Sequence, residues 1–153
     1  MKRLSAVLFT SLTGASLSPL QGAPQFALWQ ADLSIRSVTV TEAKGNLTVR
    51  VVVAAELGEA LSARLEVLLP VGVGIVSLGP SCVPGPSRTG ISELRARVEC
   101  SLGNMSARSN RELFVVTTIP PSGVARGFGV VAMSDTPDPK PGNNFAERVI
   151  PRE

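Results

Sequence analysis

Histidine and tyrosine are both absent from this 153-residue chain, tryptophan occurs once and cysteine only twice. Each shortage removes a class of chemistry. With no imidazole and two thiols, a four-ligand zinc site of ordinary composition cannot be assembled. A cysteine nucleophile would lack its usual histidine base, and general acid–base work would fall to a pair of carboxylates. Nucleic-acid binding wants a clustered basic face interleaved with aromatics. Here five Phe and one Trp are all the aromatic surface there is. The basic side chains Arg36, Arg50, Arg64, Arg95, Arg97, Arg126 and Arg148 stand singly or alternate with other residues. No nucleic acid is expected as a partner.

One apolar run does exist, at the start. Lys2 and Arg3 precede Leu4 to about Leu12, and small and polar residues then lead to Gly22-Ala23-Pro24. A basic start, a short apolar core and a small-residue exit describe a secretory signal peptide over residues 1–22, followed by a short lead over 23–30. Its loss would leave 13 basic residues against 12 acidic, so most of the sequence pI of 9.4 belongs to the leader. Beyond it no segment is long or apolar enough to cross a bilayer. The expected location is exported, periplasmic or extracellular.

Export decides the reading of the cysteines. In an oxidising compartment an even pair in a small domain forms a disulfide. Cys82 and Cys100 would close a loop of about nineteen residues, a constraint worth about 3 kcal/mol in the chain-entropy model.

The rest of the chain reads as strands. Leu33 and Ile35 alternate with Asp32, Ser34 and Arg36 in a first strand running to Val40, and Lys44-Gly45-Asn46 makes a turn. Leu47, Val49, Val51 and Val53 then share one face, which is the period of a strand with one buried side. Glu56 to Ser62 reads as a loop, since Gly58 interrupts a short stretch of helix-favouring residues. Further strands are predicted over 64–69, 73–78, 93–101, 111–119, 126–133 and 145–150, with Val83 to Ser92 a loop and Leu102-Gly103-Asn104 a turn. On the strand before that turn, Val98 and Cys100 share the inward phase, while Arg97 and Glu99 face solvent. Seven to eight short strands without a convincing helix predict an all-β antiparallel sandwich or barrel, one domain over 31–150.

Four stretches together resemble a known family. Ala31-Asp32-Leu33-Ser34 opens the domain, and Leu69-Pro70-Val71-Gly72-Val73 is similar to its "LPxGv" turn. Cys82 with Cys100-Ser101-Leu102-Gly103 resembles its cysteine pair, and Ser134-Asp135-Thr136-Pro137-Asp138-Pro139 with Asn143-Asn144 resembles its "sxTxDPnpxNN" ending. The family is the immunoglobulin-like repeat known as domain of unknown function eleven, found in bacterial and archaeal surface proteins. The resemblance implies an immunoglobulin-like sandwich with cell-surface or adhesive roles.

The closing stretch, 134–144, is the only place where two carboxylates and two side-chain amides gather. Asp135, Asp138, Asn143 and Asn144 are candidate calcium ligands, since Ca²⁺ takes six to eight hard oxygens. The competing role is capping of turns, which Asp and Asn do by bonding nearby backbone, and the sequence favours it. No other cofactor is expected. The function read from the sequence is a secreted or cell-envelope module with a non-catalytic binding, adhesive or structural role. Its partner would be an unidentified protein or envelope component, and the chain a monomer. The alternative is a periplasmic assembly or chaperone-like factor acting through an exposed edge strand.

Overall fold

The computed structural model describes residues 30–86, 96–123 and 127–150. The leader, Trp29, residues 87–95 and Arg126 lie outside the described residues.

Nine strands are found there: β1 (Asp32–Ala43), β2 (Asn46–Leu57), β3 (Ala60–Leu68), β4 (Ile75–Leu78), β5 (Cys82–Gly85), β6 (Arg97–Met105), β7 (Ser109–Thr118), β8 (Gly127–Met133) and β9 (Phe145–Val149). They form a four-stranded sheet in the order β1-β2-β7-β4 and a five-stranded sheet in the order β5-β6-β3-β8-β9. Every pairing is antiparallel.

The strand order establishes an immunoglobulin-like fold. In the seven-stranded constant form, strands A, B, E and D make one sheet and C, F and G the other. Here β1, β2, β7 and β4 take the first four places, and β3, β8 and β9 the last three. The hairpin of β5 and β6 is an addition on the β3 side, and it brings the number of strands above the seven or eight expected.

Alternation builds the core. Leu47, Val49, Val51 and Val53 of β2 are buried against Leu65 and Val67 of β3, Val98 of β6, and Phe128 and Val130 of β8. Each such side chain contributes about 1.5–3 kcal/mol when fully withdrawn from water. The β1–β2 turn is Lys44-Gly45, with φ of 52° and 75°. Two positive φ values give the turn whose twist matches that of the flanking strands.

Three local expectations are corrected. Glu56 to Ser62 is not a loop: β2 runs through Leu57, β3 begins at Ala60, and only Gly58-Glu59 connects them. Gly58 has φ +67°, and a Cβ there would lie 1.9 Å from the backbone oxygen of Gln30. Only glycine makes that tight join. Leu102-Gly103-Asn104 is not a turn either. β6 passes straight through it, with Gly103 at φ +66° beside a register shift against β3. Finally, the expected loop from Val83 opens as strand β5, held to β6 by the register Cys82↔Cys100 to Gly85↔Arg97.

Candidate functional site

The sandwich holds the closing stretch in a specific place. Ser134 to Asn144 passes over one end of the fold and carries one short 3₁₀ turn, Pro141–Asn143. Thr136 is buried; its hydroxyl donates to Glu59 O at 3.1 Å and accepts from Leu61 N at 3.0 Å. Asp138 accepts three bonds: from Leu33 N at 2.8 Å, Lys140 N at 2.7 Å and Asn144 Nδ2 at 3.0 Å. Pro137 O accepts from Ala31 N at 3.0 Å. The segment is a clasp that satisfies the backbone of β1 and of the β2–β3 join.

The four calcium candidates are not gathered into one cluster. Asp135 is exposed and its carboxylate meets Arg64 at 3.4 Å. Asp138, Asn143 and Asn144 lie together, joined by Asp32, which the sequence reading had placed simply in a strand. Asp32 is 4% exposed, accepts from Asn143 Nδ2 at 2.8 Å and faces Lys140 Nζ at 3.4 Å. The side-chain oxygens of Asn143 and Asn144 are shut from solvent without a protein partner. Even so, the donor set falls short of what Ca²⁺ takes, because Asp138 is committed to amides and Lys140 brings a positive charge beside Asp32. Among the described residues no group of three or more His, Cys, Asp or Glu is arranged to hold a metal. Asp is depleted from strands, so an Asp at the first position of β1 was the available signal that it has a partner.

The disulfide Cys82–Cys100 is formed and links β5 to β6 across the sheet, with no free thiol among the described residues. Cys100 is 1% exposed, in the inward phase expected for it.

A second arrangement was not foreseen. On the outer face of the five-stranded sheet, Val83, Glu99, Glu66, Val131 and Phe145 line up across β5, β6, β3, β8 and β9. Arg97, expected to face solvent, has its side chain only 14% exposed, and Glu66, which alternates with the inward Leu65 and Val67, is not out in solvent. It is 8% exposed. Its neighbour Glu99 stands directly opposite, a like-charge pairing that is unfavourable on its own. Arg97 resolves it, bridging to Glu99 and lying 3.3 Å from Glu66. Arg97 Nε is buried without a hydrogen-bond partner. Gly85 lies against this guanidinium: a Cβ there would come within 2.9 Å of Nε. Around these groups runs an open cleft of about 710 Å³ lined by Arg64, Glu66, Val83, Arg97, Glu99 and Met133 among others.

On the other sheet, Glu56 accepts from Ser34 Oγ at 2.8 Å and from both Arg36 Nε at 2.9 Å and Nη2 at 2.7 Å. Those hydrogen bonds, Arg36 first, hold its pKa down to about 2. That firmly ionised carboxylate is the opposite of a general acid, which needs a raised value.

No protein-family model matches the chain, and no curated protein does. Among solved structures it is similar to an uncharacterized Nocardia farcinica protein with an immunoglobulin-like fold, at 15% identity and TM-score 0.46, covering 81% of this chain and 99% of that one. It is also similar to ChBD2 from Thermococcus kodakarensis KOD1, at 20% identity and TM-score 0.41, over 69% of this chain and 93% of that one. AvmM, which catalyzes macrocyclization in alchivemycin A biosynthesis, matches at 11% identity and TM-score 0.41, over 78% and 90% of the two chains.

Proposed function

We propose that this chain is an exported, non-catalytic module that acts by binding a component of the cell envelope, and that the outer face of its five-stranded sheet is the recognition surface. The observation that carries this reading is the Glu66–Arg97–Glu99 cluster. A solvent-facing sheet side ordinarily presents well-hydrated, separate charges. Here three charged groups are drawn together, Glu66 and Arg97 largely withdrawn from water and Glu99 half exposed beside them, between the apolar side chains of Val83 on one flank and Val131, Met133 and Phe145 on the other. Preformed polar groups framed by exposed apolar surface are what a recognition patch needs. Phe145 and Val83 are 54% and 59% exposed, available to be covered by a partner.

Export is supported by the leader-like residues 1–22 and by the disulfide, which persists in oxidising compartments. No described helix is long and apolar enough to cross a membrane. A non-catalytic role is supported by the lack of histidine, by cysteines committed to each other, and by a carboxylate at Glu56 pushed away from the acid–base range. Kinship with the domain-of-unknown-function-eleven repeats belongs to the same proposal. It is supported by the structural use of the matching residues: Pro70 to Val73 closes a turn after β3, and the Asp138 and Asn144 side chains bond each other in the clasp.

The test is co-sedimentation of the mature protein with isolated cell-wall and envelope fractions, comparing wild type with Glu99→Lys and Val83→Asp. Retention of wild type and loss in both variants is expected, with Lys44→Glu on the distant hairpin binding as wild type. Equal retention of all four proteins would remove this face from the proposal.

A further inference from the structure

The recognition face leans on a lightly held strand. β5 is four residues long, stands at the edge of the five-stranded sheet and pairs with β6 alone among the described residues. Val83 and Pro84 are exposed, Gly85 has no side chain, and Pro84 brings no amide proton to the ladder. Cys82 is the one β5 side chain that enters the core, and it does so bonded to Cys100. An edge strand with so little apolar anchorage belongs to the part of a fold that opens most easily. The chain before it is held separately, by Gly79 N to Phe114 O at 3.1 Å and Ser101 N to Ser81 O at 2.8 Å.

That strand nevertheless supplies two parts of the charged patch. Val83, opposite Glu99, is its apolar flank. Gly85, opposite Arg97, is the floor on which the Arg97–Glu99 pair rests: a Cβ there would come within 2.9 Å of Arg97 Nε and 3.2 Å of Glu99 Oε1. With β5 in place, Arg97 Nε is shut from water. With β5 displaced, the guanidinium would lose the backbone beneath it and take up water, since a buried charged group rehydrates wherever it can. It would then no longer be fixed between Glu66 and Glu99.

We propose that the Cys82–Cys100 disulfide is a redox latch for this face: a dithiol reductant that opens it frees β5, disassembles the patch and releases the bound envelope component, and reoxidation reverses the change. This inference rests on the recognition role proposed for the patch. The chemistry is thiol–disulfide exchange. Cys82 is 8% exposed and Cys100 1%, so the reductant's thiolate attacks Cys82 Sγ. The S–S bond breaks, and its electron pair leaves on Cys100 Sγ, which takes up a proton. The reductant's second thiolate then attacks the reductant sulfur of the mixed disulfide. Cys82 leaves as a thiolate and is protonated, and the reductant departs as its own disulfide. Two electrons pass from the dithiol to the protein. The strands that build the core, β2, β3 and β8, keep their buried faces.

Hydrogen exchange of the mature protein, read by mass spectrometry, tests the latch without any ligand. In dithiothreitol the Val83 and Gly85 amides should lose their protection within seconds, while β2 and β8 amides stay protected. Retention on envelope fractions should fall roughly tenfold in dithiothreitol, the loss expected when a well-placed contact goes, and should return on reoxidation. The Cys82→Ala/Cys100→Ala variant should bind weakly in either buffer. Gly85→Ala, with the disulfide intact, should also weaken retention while β5 amides stay protected, because the added methyl lifts the Arg97–Glu99 pair off its floor. Protection of β5 that survives reduction would overturn the latch. So would loss of protection throughout the sandwich, which would make the disulfide a staple of the whole fold. Opening of β5 with retention unchanged, or Gly85→Ala binding as wild type, would break the link between this strand and binding. Failure of the oxidised wild type to bind any envelope fraction removes the recognition reading and the release step with it, and β5 exchange still decides whether reduction frees the strand.

Discussion

The carboxylate of Asp138 accepts the backbone N–H of Leu33 at 2.8 Å, although 105 residues separate them. Leu33 is fully buried and near the start of the first strand. The stretch after β8 thus anchors the beginning of the domain to its end. The same carboxylate receives Lys140 N, two residues on, in the local turn that Asp side chains favour. One side chain therefore shapes the bend and ties it to the opposite sheet.

Asp138→Ala should cost about 2–3 kcal/mol in urea unfolding, because it strands an amide that had a charged acceptor. Asp138→Asn keeps one acceptor oxygen and should cost roughly half as much. A loss below about 0.5 kcal/mol for the alanine variant would show that water replaces the carboxylate. Since the clasp is held by protein partners, excess Ca²⁺ and a chelator should give the same melting temperature.

The Glu56 carboxylate gives a pH signature. Its folded pKa is about 2 against an ordinary 4.5, so the Arg36 and Ser34 contacts stabilise fully above 4.5 and are lost as pH falls toward 2. The melting-temperature gap between wild type and Glu56→Gln should therefore be present at pH 5–7, shrink below about 4.5 and close near pH 2. The pair is exposed to screening, so the gap should be small and should narrow in high salt. A gap that widens on acidification would contradict this assignment.

The disulfide spans a sequence separation of 18. Replacing both cysteines with alanine should lower stability by about 3 kcal/mol, mainly by releasing the unfolded chain. Thiol labelling of the unfolded, unreduced wild type should find no reactive cysteine.

Thr117 is fully buried on β7 and its hydroxyl has no hydrogen-bond partner. Thr117→Val preserves the shape and removes the unsatisfied group, so stability should rise by about 1 kcal/mol. A loss of stability would indicate a buried water bonded to that hydroxyl.

Much of the sandwich was legible because burial on one side of a strand imposes period two. Leu47, Val49, Val51 and Val53 announce both the strand and its inward face, and Cys100 shares the phase of Val98. The errors fall where a local signal has two meanings. Gly58 reads as a break in a loop, yet it is a two-residue join pressed against Gln30. Gly103 reads as a turn, yet it is an irregularity inside β6. A positive φ serves either purpose, and only the partner strand tells which.

The site was less legible than the fold. Glu66, Glu99 and Arg97 each look like solvated residues on the outer face of their own strand. Glu66 and Arg97 are buried because β3 and β6 become neighbours and set the carboxylates of Glu66 and Glu99 opposite each other with one guanidinium between. Asp32 is hidden in the same way: its amide partner, Asn143, lies 111 residues further along.

The sequence by itself determined the class of the protein: period-two apolar faces, an even cysteine pair and turn residues at short intervals leave a disulfide-bonded, all-β fold. Alternation fixes which side of a strand seeks the core, because that choice is local to the strand. Which strands sit side by side is not local, and tertiary structure alone decided it. That choice packed the charged cluster on one sheet and closed the clasp over the start of β1.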